Sequence, residues 1–214
     1  MICFIGSSFA PKHLEAAAIC RGVETTNDPS IADILFVSED TPVAPHGKRD
    51  LEPILKLIKT AKTYGKPIVL TSQVPPGFTR SLGIEQIWHQ AETLRVKDAG
   101  ERAYAPEQII VGGNPDVPIP YRVYLNIFQC PIQWVELETA EFSKIAINMS
   151  LAAQVDSANR LSLAADKAGA DWNDIQLILK HDHRIGTYTK PGRWQDSLHL
   201  LRDWYTLEEI LARD

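Results

Sequence analysis

Hydrophobic residues along the chain alternate between short β-branched runs and longer segments with helical spacing. This alternation is typical of parallel strands connected by crossover helices. The pattern predicts strands at 1–6, 32–38, 66–72, 107–113 and 132–137. It predicts helices at 11–22, 50–65, 78 to about 91 and 120–128. Residues 1–135 are therefore expected to form an α/β domain.

The pattern changes after residue 138 to almost continuous helix. Thr139 is predicted to cap a long helix that extends to Lys167. Asp171 is predicted to begin a second helix, and Thr206 and Glu209 have the spacing of a capping box for a last one. The long helix is apolar around most of its circumference, so it needs a partner on more than one side, and a twofold dimer would supply it. Residues 136–214 are therefore predicted to form an all-helical dimerisation domain.

Charge and composition narrow the class of partner. The formal net charge is −5 and there is no dense Lys and Arg cluster, which argues against nucleic acid or an anionic membrane. No uncharged apolar run is long enough to span a bilayer, and the first residues lack the basic start of a signal peptide. Cys3, Cys20 and Cys130 are far apart in apolar surroundings, so we predict buried thiols in a reducing compartment. A cytoplasmic protein with a small ligand is expected.

The turn after the first strand is a candidate cofactor site. A strand, a glycine turn and a helix together form the place where the pyrophosphate of a dinucleotide binds free amides. The G-x-G-x-x-G loop is represented here by Gly6, Ser8 and Pro11. The predicted cofactor-binding residues of this turn are Gly6, Ser8 and Phe9. Only about ten residues separate the first helix from the next strand, too few for another strand and crossover helix, so the acid that would hold the adenosine ribose has no evident source.

The segment AEFSKIAINMSLAAQ, residues 140–154, carries a second candidate site. Lys144 and Asn148 have i,i+4 spacing, so their side chains lie on one face of the predicted helix, and Glu141 extends that stripe. The ammonium and the amide could both contact one small ligand. Alternatively, the stripe could be the solvated face of an amphipathic helix.

Several separated segments of the chain resemble, in the same order, the UDP-glucose/GDP-mannose dehydrogenase family. The matching segments are ADILFVSEDTPV, TSQVPPG, AETLRVKDAGERAYAPEQIIVGG, AEFSKIAIN and HDHRIGTYTKPG. Enzymes of this family use NAD to oxidise the C6 alcohol of a nucleotide sugar through an aldehyde to a carboxylate. The resemblance implies a truncated Rossmann-like domain with a parallel sheet at 1–135, NAD as cofactor, and a nucleotide sugar or small hydroxyl compound as ligand.

The resemblance also implies roles for individual residues. Lys144 and Asn148 fall on the family's catalytic lysine and asparagine, where an ammonium can shuttle a proton and stabilise an oxyanion. Glu92 falls on their carboxylate partner. The predicted cofactor-binding set gains Thr41 and Ser72, and the predicted substrate-binding residues are Leu94, Arg95, Arg184 and Arg202.

The chain departs from the family where the second oxidation takes place. His199 falls on the nucleophilic cysteine and Asp203 on the aspartate of the family's Lys-Asp pair, and both are candidate catalytic residues. In the family a thiolate attacks the aldehyde, and the adduct becomes a thioester that water hydrolyses, which an imidazole does not readily reproduce. The segment DSLHLLRDW is predicted to be a capped helix. The family's C-terminal domain, which binds the nucleotide base, is expected to be absent because the sequence ends at Asp214.

Three functions from different classes remain open. The favoured hypothesis is a degenerate relative, a pseudoenzyme, that forms a homodimer and has a binding or regulatory role without complete oxidation of an alcohol to an acid. The second is a reduced NAD-dependent oxidoreductase that transfers a single hydride with Lys144 as acid/base. The third is a structural partner that binds a full-length dehydrogenase through its helices.

Overall fold

The computed structural model describes residues 1–43, 49–183, 185 and 191–212. Within them, six strands form one sheet in sequence order: β1 (Ile2–Ile5), β2 (Ile34–Val37), β3 (Ile68–Leu70), β4 (Ile87–Gln90), β5 (Ile109–Gly112) and β6 (Ile132–Val135). Neighbouring strands are parallel, except that β4 and β5 are antiparallel. The strands β5 and β6 therefore run opposite to the first four, a reversal that the sequence pattern did not predict.

The helices of the described residues are α1 (Phe9–Cys20), α2 (Glu52–Lys62), α3 (Phe78–Ser81), α4 (Ala99–Tyr104), α5 (Ile119–Asn126), α6 (Leu137–Ala168), α7 (Trp172–His181) and α8 (Leu198–Leu211). A 3-10 turn, Trp194–Asp196, precedes α8. The predicted class, a Rossmann-like α/β sheet followed by a helical part, is confirmed. None of the described helices is both long and apolar enough to cross a bilayer.

The strands β2 and β3 are apolar at every position, and the sheet is covered there on both faces. On one face, Phe36 and Val69 pack in a cluster with Tyr121 and Tyr124 of α5. On the other face, residues such as Leu35 pack in a cluster with apolar residues of α2. Strands of this kind read as continuous hydrophobic runs, as expected for a largely parallel sheet buried on both sides.

The helix predicted from 78 to about 91 is wrong. The structure has only the four-residue α3 there, followed by β4, whose sequence is IWHQ. All four residues of β4 are buried, and the strand pairs with both β3 and β5. A short run that is buried on both sides lacks the period of two that marks a half-exposed strand, so pairing with its neighbours decides its conformation.

Two of the predicted helix boundaries are also wrong, and one is confirmed. Thr139 lies inside α6, which already begins at Leu137. Thr206 does not begin a helix, because it lies within α8 and its hydroxyl donates to the backbone oxygen of Arg202. Asp171 is the N-cap of α7, as predicted, and its carboxylate accepts a 2.7 Å hydrogen bond from the backbone N–H of Asn173.

The cysteines do not all match the prediction of buried thiols. Cys3 is buried in the sheet, but Cys20 is exposed and Cys130 is half-buried. Cys20 is the last residue of α1, and its apolar sequence neighbours did not indicate that its own side chain faces outward. Burial raises the pKa of Cys3 and of Cys130, so neither thiol is activated.

The chain divides into two compact units. The α/β unit comprises Met1–Pro42 and Arg49–Lys144, and it includes the whole sheet. The helical unit contains α6 from Ile145 onward, together with α7 and α8. Lys144 and Asn148 lie one turn apart on the continuous helix α6, as predicted from their spacing.

Candidate functional site

The turn between β1 and α1 requires a glycine at position 6. Gly6 has φ of +142°, and a Cβ atom there would lie 1.7 Å from the backbone oxygen of Ser38. The turn therefore passes directly against the end of β2, and only glycine permits that approach. This is the geometry expected of the first glycine in a dinucleotide-binding turn.

The two donors of Ser7, in this turn, are occupied by a side chain of the protein itself. The backbone N–H and the hydroxyl of Ser7 donate hydrogen bonds of 3.0 and 2.9 Å to Oε2 of Glu39. Glu39 follows β2 in the chain, and its backbone is fixed by Ser72: the N–H of Glu39 donates to the Ser72 hydroxyl at 2.7 Å, and that hydroxyl donates to the oxygen of Glu39 at 2.8 Å. Ser72 was predicted from the sequence as a cofactor-binding residue, whereas Glu39 was not.

Thr41, another predicted cofactor-binding residue, joins two loops of the α/β unit. Its hydroxyl is buried and donates a 2.7 Å hydrogen bond to the backbone oxygen of Gln73. The guanidinium of Arg49 donates to the Thr41 hydroxyl at 3.1 Å and to the same oxygen of Gln73 at 2.9 Å. Arg49, which the sequence analysis did not single out, thus ties the loop after β2 to the loop after β3.

The remaining residues of the β1–α1 turn offer little to a phosphate. Ser8 is the N-cap of α1 but makes no side-chain capping hydrogen bond. The side chain of Phe9 is exposed, and the centroid of its ring lies 4.4 Å from that of the His13 ring. Pro11, in the first turn of α1, is buried and has no backbone N–H to donate. With the Glu39 carboxylate on Ser7, the turn as it is folded does not fit the pyrophosphate of the NAD that the family resemblance implies.

An acid, Asp28, lies in the short segment that follows α1. Thr25 forms an isolated parallel bridge with Ile2, so a short piece of chain takes the place of a strand at this edge. Asp28 follows three residues later and lies about 20 residues after Gly6, the spacing of the ribose-binding acid in dinucleotide sites. Its carboxylate accepts hydrogen bonds from the N–H and hydroxyl of Ser30, which lower its pKa. The alternation in VETT before Asp28 was the pattern that could have revealed it.

A narrow cleft with a volume of about 30 Å³ lies in the α/β unit. Its lining includes Thr71, Gln90, Glu92, Leu94, Arg102 and Tyr124. The predicted residues Glu92 and Leu94 both line this cleft, and the backbone N–H of Leu94 donates a hydrogen bond to the Glu92 carboxylate. Arg95 forms an ion pair with Asp98, with Nε 2.9 Å from Oδ1.

Glu141 supports the turn that contains the two prolines of QVPPG. Its carboxylate is 1% exposed and accepts hydrogen bonds from the backbone N–H of Gly77 at 2.6 Å and of Thr79 at 2.7 Å. Burial raises the pKa of Glu141, and the hydrogen bonds from Thr79 and Gly77 offset only part of that shift. The sequence analysis placed Glu141 on the stripe of Lys144, whereas the structure gives it a partner in the loop after β3. Lys144 itself is half-buried.

The helical unit contains a buried polar cluster of Asn148, Arg202, Asp203 and Thr206. The side-chain amide of Asn148 donates a 2.5 Å hydrogen bond to Oδ2 of Asp203. The Nε atom of Arg202 lies 3.8 Å from Oδ1 of Asp203, and the Arg202 backbone accepts from the Thr206 hydroxyl. All four side chains are less than 9% exposed. The predicted residues Asn148, Arg202 and Asp203 are therefore brought together from α6 and α8.

His199 is exposed on the first turn of α8. The helix is capped by Ser197, whose hydroxyl accepts from the N–H of Leu200 at 3.5 Å, so the predicted capped helix is present. The preceding segment is attached to α6: the side-chain amide of Asn159 makes hydrogen bonds of 2.7 and 2.8 Å with the backbone of Gly192. The predicted substrate-binding residue Arg184 lies outside the described residues.

Comparison with known proteins identifies relatives of both units. Residues 138–209 match the central domain of the UDP-glucose/GDP-mannose dehydrogenase family. UDP-glucose 6-dehydrogenase 4 of Arabidopsis thaliana is 28% identical over 182 residues, which cover 73% of this chain and 38% of that protein. The chain thus spans about two fifths of the length of such curated relatives.

Two solved structures share the fold. A UDP-D-ManNAc dehydrogenase from Pyrococcus horikoshii matches with a TM-score of 0.82 at 15% identity, covering 100% of this chain and 65% of that one. A 3-hydroxyisobutyrate dehydrogenase from Mycobacterium tuberculosis matches with a TM-score of 0.72 at 15% identity, covering 99% of this chain and 86% of that one.

Proposed function

Because this chain is a divergent member of the UDP-glucose/GDP-mannose dehydrogenase family, we propose that it binds a nucleotide sugar or a similar hydroxyl-bearing ligand without oxidising an alcohol to an acid. Its role is then binding or regulation. The proposal of ligand binding rests on the polar cluster of the helical unit. That unit has no cysteine, which argues against oxidation of an aldehyde to an acid there.

The cluster has the chemistry that a sugar requires. Burying a carboxylate and a guanidinium among helices is costly, so their retention is better explained by a polar ligand than by stability alone. Asn148 and Asp203 are held by a short hydrogen bond, and their two side chains supply both donors and acceptors for an alcohol. Arg202 adds a positive charge beside them, which suits an oxygen-rich or anionic ligand.

Oxidation to a carboxylate needs a nucleophile that this unit lacks. The last cysteine in the sequence is Cys130, which belongs to the α/β unit. The side chain of His199 is exposed on a helical turn, whereas the side chain of Asp203 is fully buried. Without a thiolate, no thioester forms, and the step from aldehyde to acid has no covalent route through the residues of the helical unit.

The proposal is tested by thermal unfolding with UDP-glucose, UDP-N-acetylmannosamine and GDP-mannose. A ligand that binds only the folded protein raises the unfolding temperature in a concentration-dependent way. The Asp203→Asn variant, which keeps the shape and removes the charge, should lose that increase. Asp196→Asn is the matched control, since Asp196 is exposed and pairs only loosely with Arg193 at 3.7 Å. If none of the three nucleotide sugars stabilises the wild-type chain, the proposal is wrong.

The same samples, supplied with NAD, separate binding from catalysis. We expect no sustained NADH formation from a nucleotide sugar. Two equivalents of NADH per sugar would contradict the proposal. A single equivalent from a hydroxyl substrate would replace it with a one-hydride oxidoreductase in which Lys144 is the acid/base.

We further propose that the helical unit associates with a second copy of the chain. The helix α7 has no buried residue, yet it carries Leu177 and Ile178, which are 56% and 68% exposed. Leu161 and Leu163 of α6 are exposed as well. Apolar residues grouped in this way in one helical unit are better covered by another protein surface than by water. Light scattering after gel filtration should give twice the monomer mass, and Leu177→Glu should reduce it.

The expected partner of the helical unit is a second copy of the same chain. Charged residues at exposed positions of α7, such as Lys180, provide the matched control, and Lys180→Glu should leave the mass unchanged. A monomeric wild-type chain that binds a full-length nucleotide-sugar dehydrogenase would instead favour a structural partner role.

A further inference from the structure

The carboxylate of Glu39 lies against the β1–α1 turn as an anionic ligand would. Its Oε2 atom accepts from both the N–H and the hydroxyl of Ser7. Its Oε1 atom accepts a 3.0 Å hydrogen bond from the backbone N–H of Asp40. Both oxygens of the carboxylate are thus engaged, and the N–H and hydroxyl donors of Ser7 are satisfied within the protein.

The backbone of Glu39 is held in place independently of its side chain. The hydroxyl of Ser72 is both acceptor and donor to the backbone of Glu39, with distances of 2.7 and 2.8 Å. Ser72 is 3% exposed and follows β3, so the anchor is part of the buried sheet. The backbone of Glu39 is therefore already fixed, so only the rotamer freedom of the side chain is lost when the carboxylate bonds to Ser7.

We infer that Glu39 is the residue that excludes a pyrophosphate from the β1–α1 turn, and that a neutral side chain at this position admits one. A pyrophosphate would need the same donors on Ser7 that the carboxylate now holds. It would also bring negative charge next to negative charge, and like charges at hydrogen-bonding distance repel strongly even near a protein surface. The turn itself keeps the required form, because Gly6 still permits the close approach to Ser38.

Asp28 lies three residues after the bridge between Thr25 and Ile2, at the edge of the sheet. It is about 20 residues from Gly6 in the sequence, which is the spacing of a ribose-binding acid. Ser7 is exposed, so a ligand can reach it once the carboxylate is removed. The ligand class is accordingly a dinucleotide or another nucleoside diphosphate, and Glu39 is the feature that decides against it.

The test compares Glu39→Ala with the wild-type chain by calorimetric titration of NAD and of ADP-ribose. The variant removes the carboxylate and keeps the backbone anchor on Ser72. It should bind both compounds about tenfold more tightly or better, which corresponds to relief of one close charge repulsion. Glu52→Ala is the matched control: it removes the same charge from an exposed ion pair with Lys56 and should bind like the wild type.

Adenosine, which has no phosphate, distinguishes charge relief from a general opening of the site. Its affinity should be the same for all three proteins, and an equal gain for adenosine would overturn the inference. Equal affinity of wild type and Glu39→Ala for NAD would also overturn it. If Glu39→Ala does not fold, Glu39→Gln decides instead, because it removes the charge at nearly constant size. This titration contains no nucleotide sugar, so it can fail or succeed independently of the proposed ligand site in the helical unit.

Discussion

The side-chain amide of Asn148, on α6, donates a 2.5 Å hydrogen bond to the carboxylate of Asp203, on α8. Asp203 is fully buried, and Asn148 is 6% exposed. Neither residue is near the other in sequence, and the contact fixes the register of the two helices within the helical unit. The pair therefore contributes to stability as well as to the proposed ligand site.

Removing both partners should cost less stability than the sum of the two single removals. Asp203→Ala leaves the amide of Asn148 and the guanidinium of Arg202 buried without that carboxylate, and we expect a loss of about 3 kcal/mol in the free energy of unfolding. Asn148→Ala should cost about 1 to 2 kcal/mol. Urea unfolding of the single and double variants gives the coupling energy. Additive losses, with no coupling, would contradict the structural pairing.

Glu141 should be important for the stability of the α/β unit. In Glu141→Ala, the N–H groups of Gly77 and Thr79 lose their shared acceptor, and we expect a loss of about 2 kcal/mol. Glu136→Ala is the matched control, because that carboxylate is exposed and lies 3.5 Å from Arg80; it should cost less than about 0.5 kcal/mol. Urea unfolding measures both. Equal losses for the two substitutions would show that the hydrogen bonds from Gly77 and Thr79 to Glu141 do not contribute to the free energy of unfolding.

Glycines with positive φ differ in what surrounds them. Gly6→Ala places a Cβ 1.7 Å from the oxygen of Ser38, so the end of β2 must move, and we expect a loss of about 3 kcal/mol or more. Gly22→Ala, at φ of +79° with open space around it, should cost only about 1 kcal/mol. Thermal unfolding of the two variants checks the difference. A similar loss for both would mean that backbone conformation, and not the contact with Ser38, governs position 6.

A cysteine at position 199 should not create an oxidising site. His199 is exposed on α8, so in His199→Cys the new thiol should be labelled rapidly by a disulfide reagent, as an accessible surface group is. The exposed Cys20 and the half-buried Cys130 are both replaced by serine in the same protein, so that rapid labelling reports on position 199. With UDP-glucose and NAD, the variant should form no NADH. Formation of NADH would show that a thiol alone restores the chemistry.

Local patterns were sufficient for much of the architecture. The apolar runs of β2 and β3 and the cap at Asp171 were all predicted correctly, because each depends on residues close in sequence. The strand β4 was predicted as helix, since its four buried residues show no period and only its neighbours in the sheet determine their conformation.

The candidate sites depended more on contacts between distant residues. The spacing of Lys144 and Asn148 on one helix followed from the sequence, but the contact of Asn148 with Asp203 joins positions 55 residues apart. The same holds for Ser7 and Glu39, which are 32 residues apart. The incomplete G-x-G-x-x-G loop was recognised from the sequence. The bond between Ser7 and the carboxylate of Glu39 was not, because no local pattern near Glu39 indicates a contact with Ser7.

His89 should make the stability of the protein depend on pH. Its side chain is 2% exposed on β4, and Nδ1 has no hydrogen-bond partner among the described residues. Burial lowers the pKa of His89 to about 3, against about 6.5 in an unfolded chain. Between these two pH values His89 is protonated in the unfolded chain and neutral in the folded protein. The free energy of unfolding is therefore independent of His89 ionisation above about pH 6.5, and it falls by about 1.4 kcal/mol per pH unit below that. Urea unfolding from pH 8 to pH 5 should show a shallower decline for His89→Gln than for the wild type. Parallel curves would mean that His89 is accessible to protons in the folded protein.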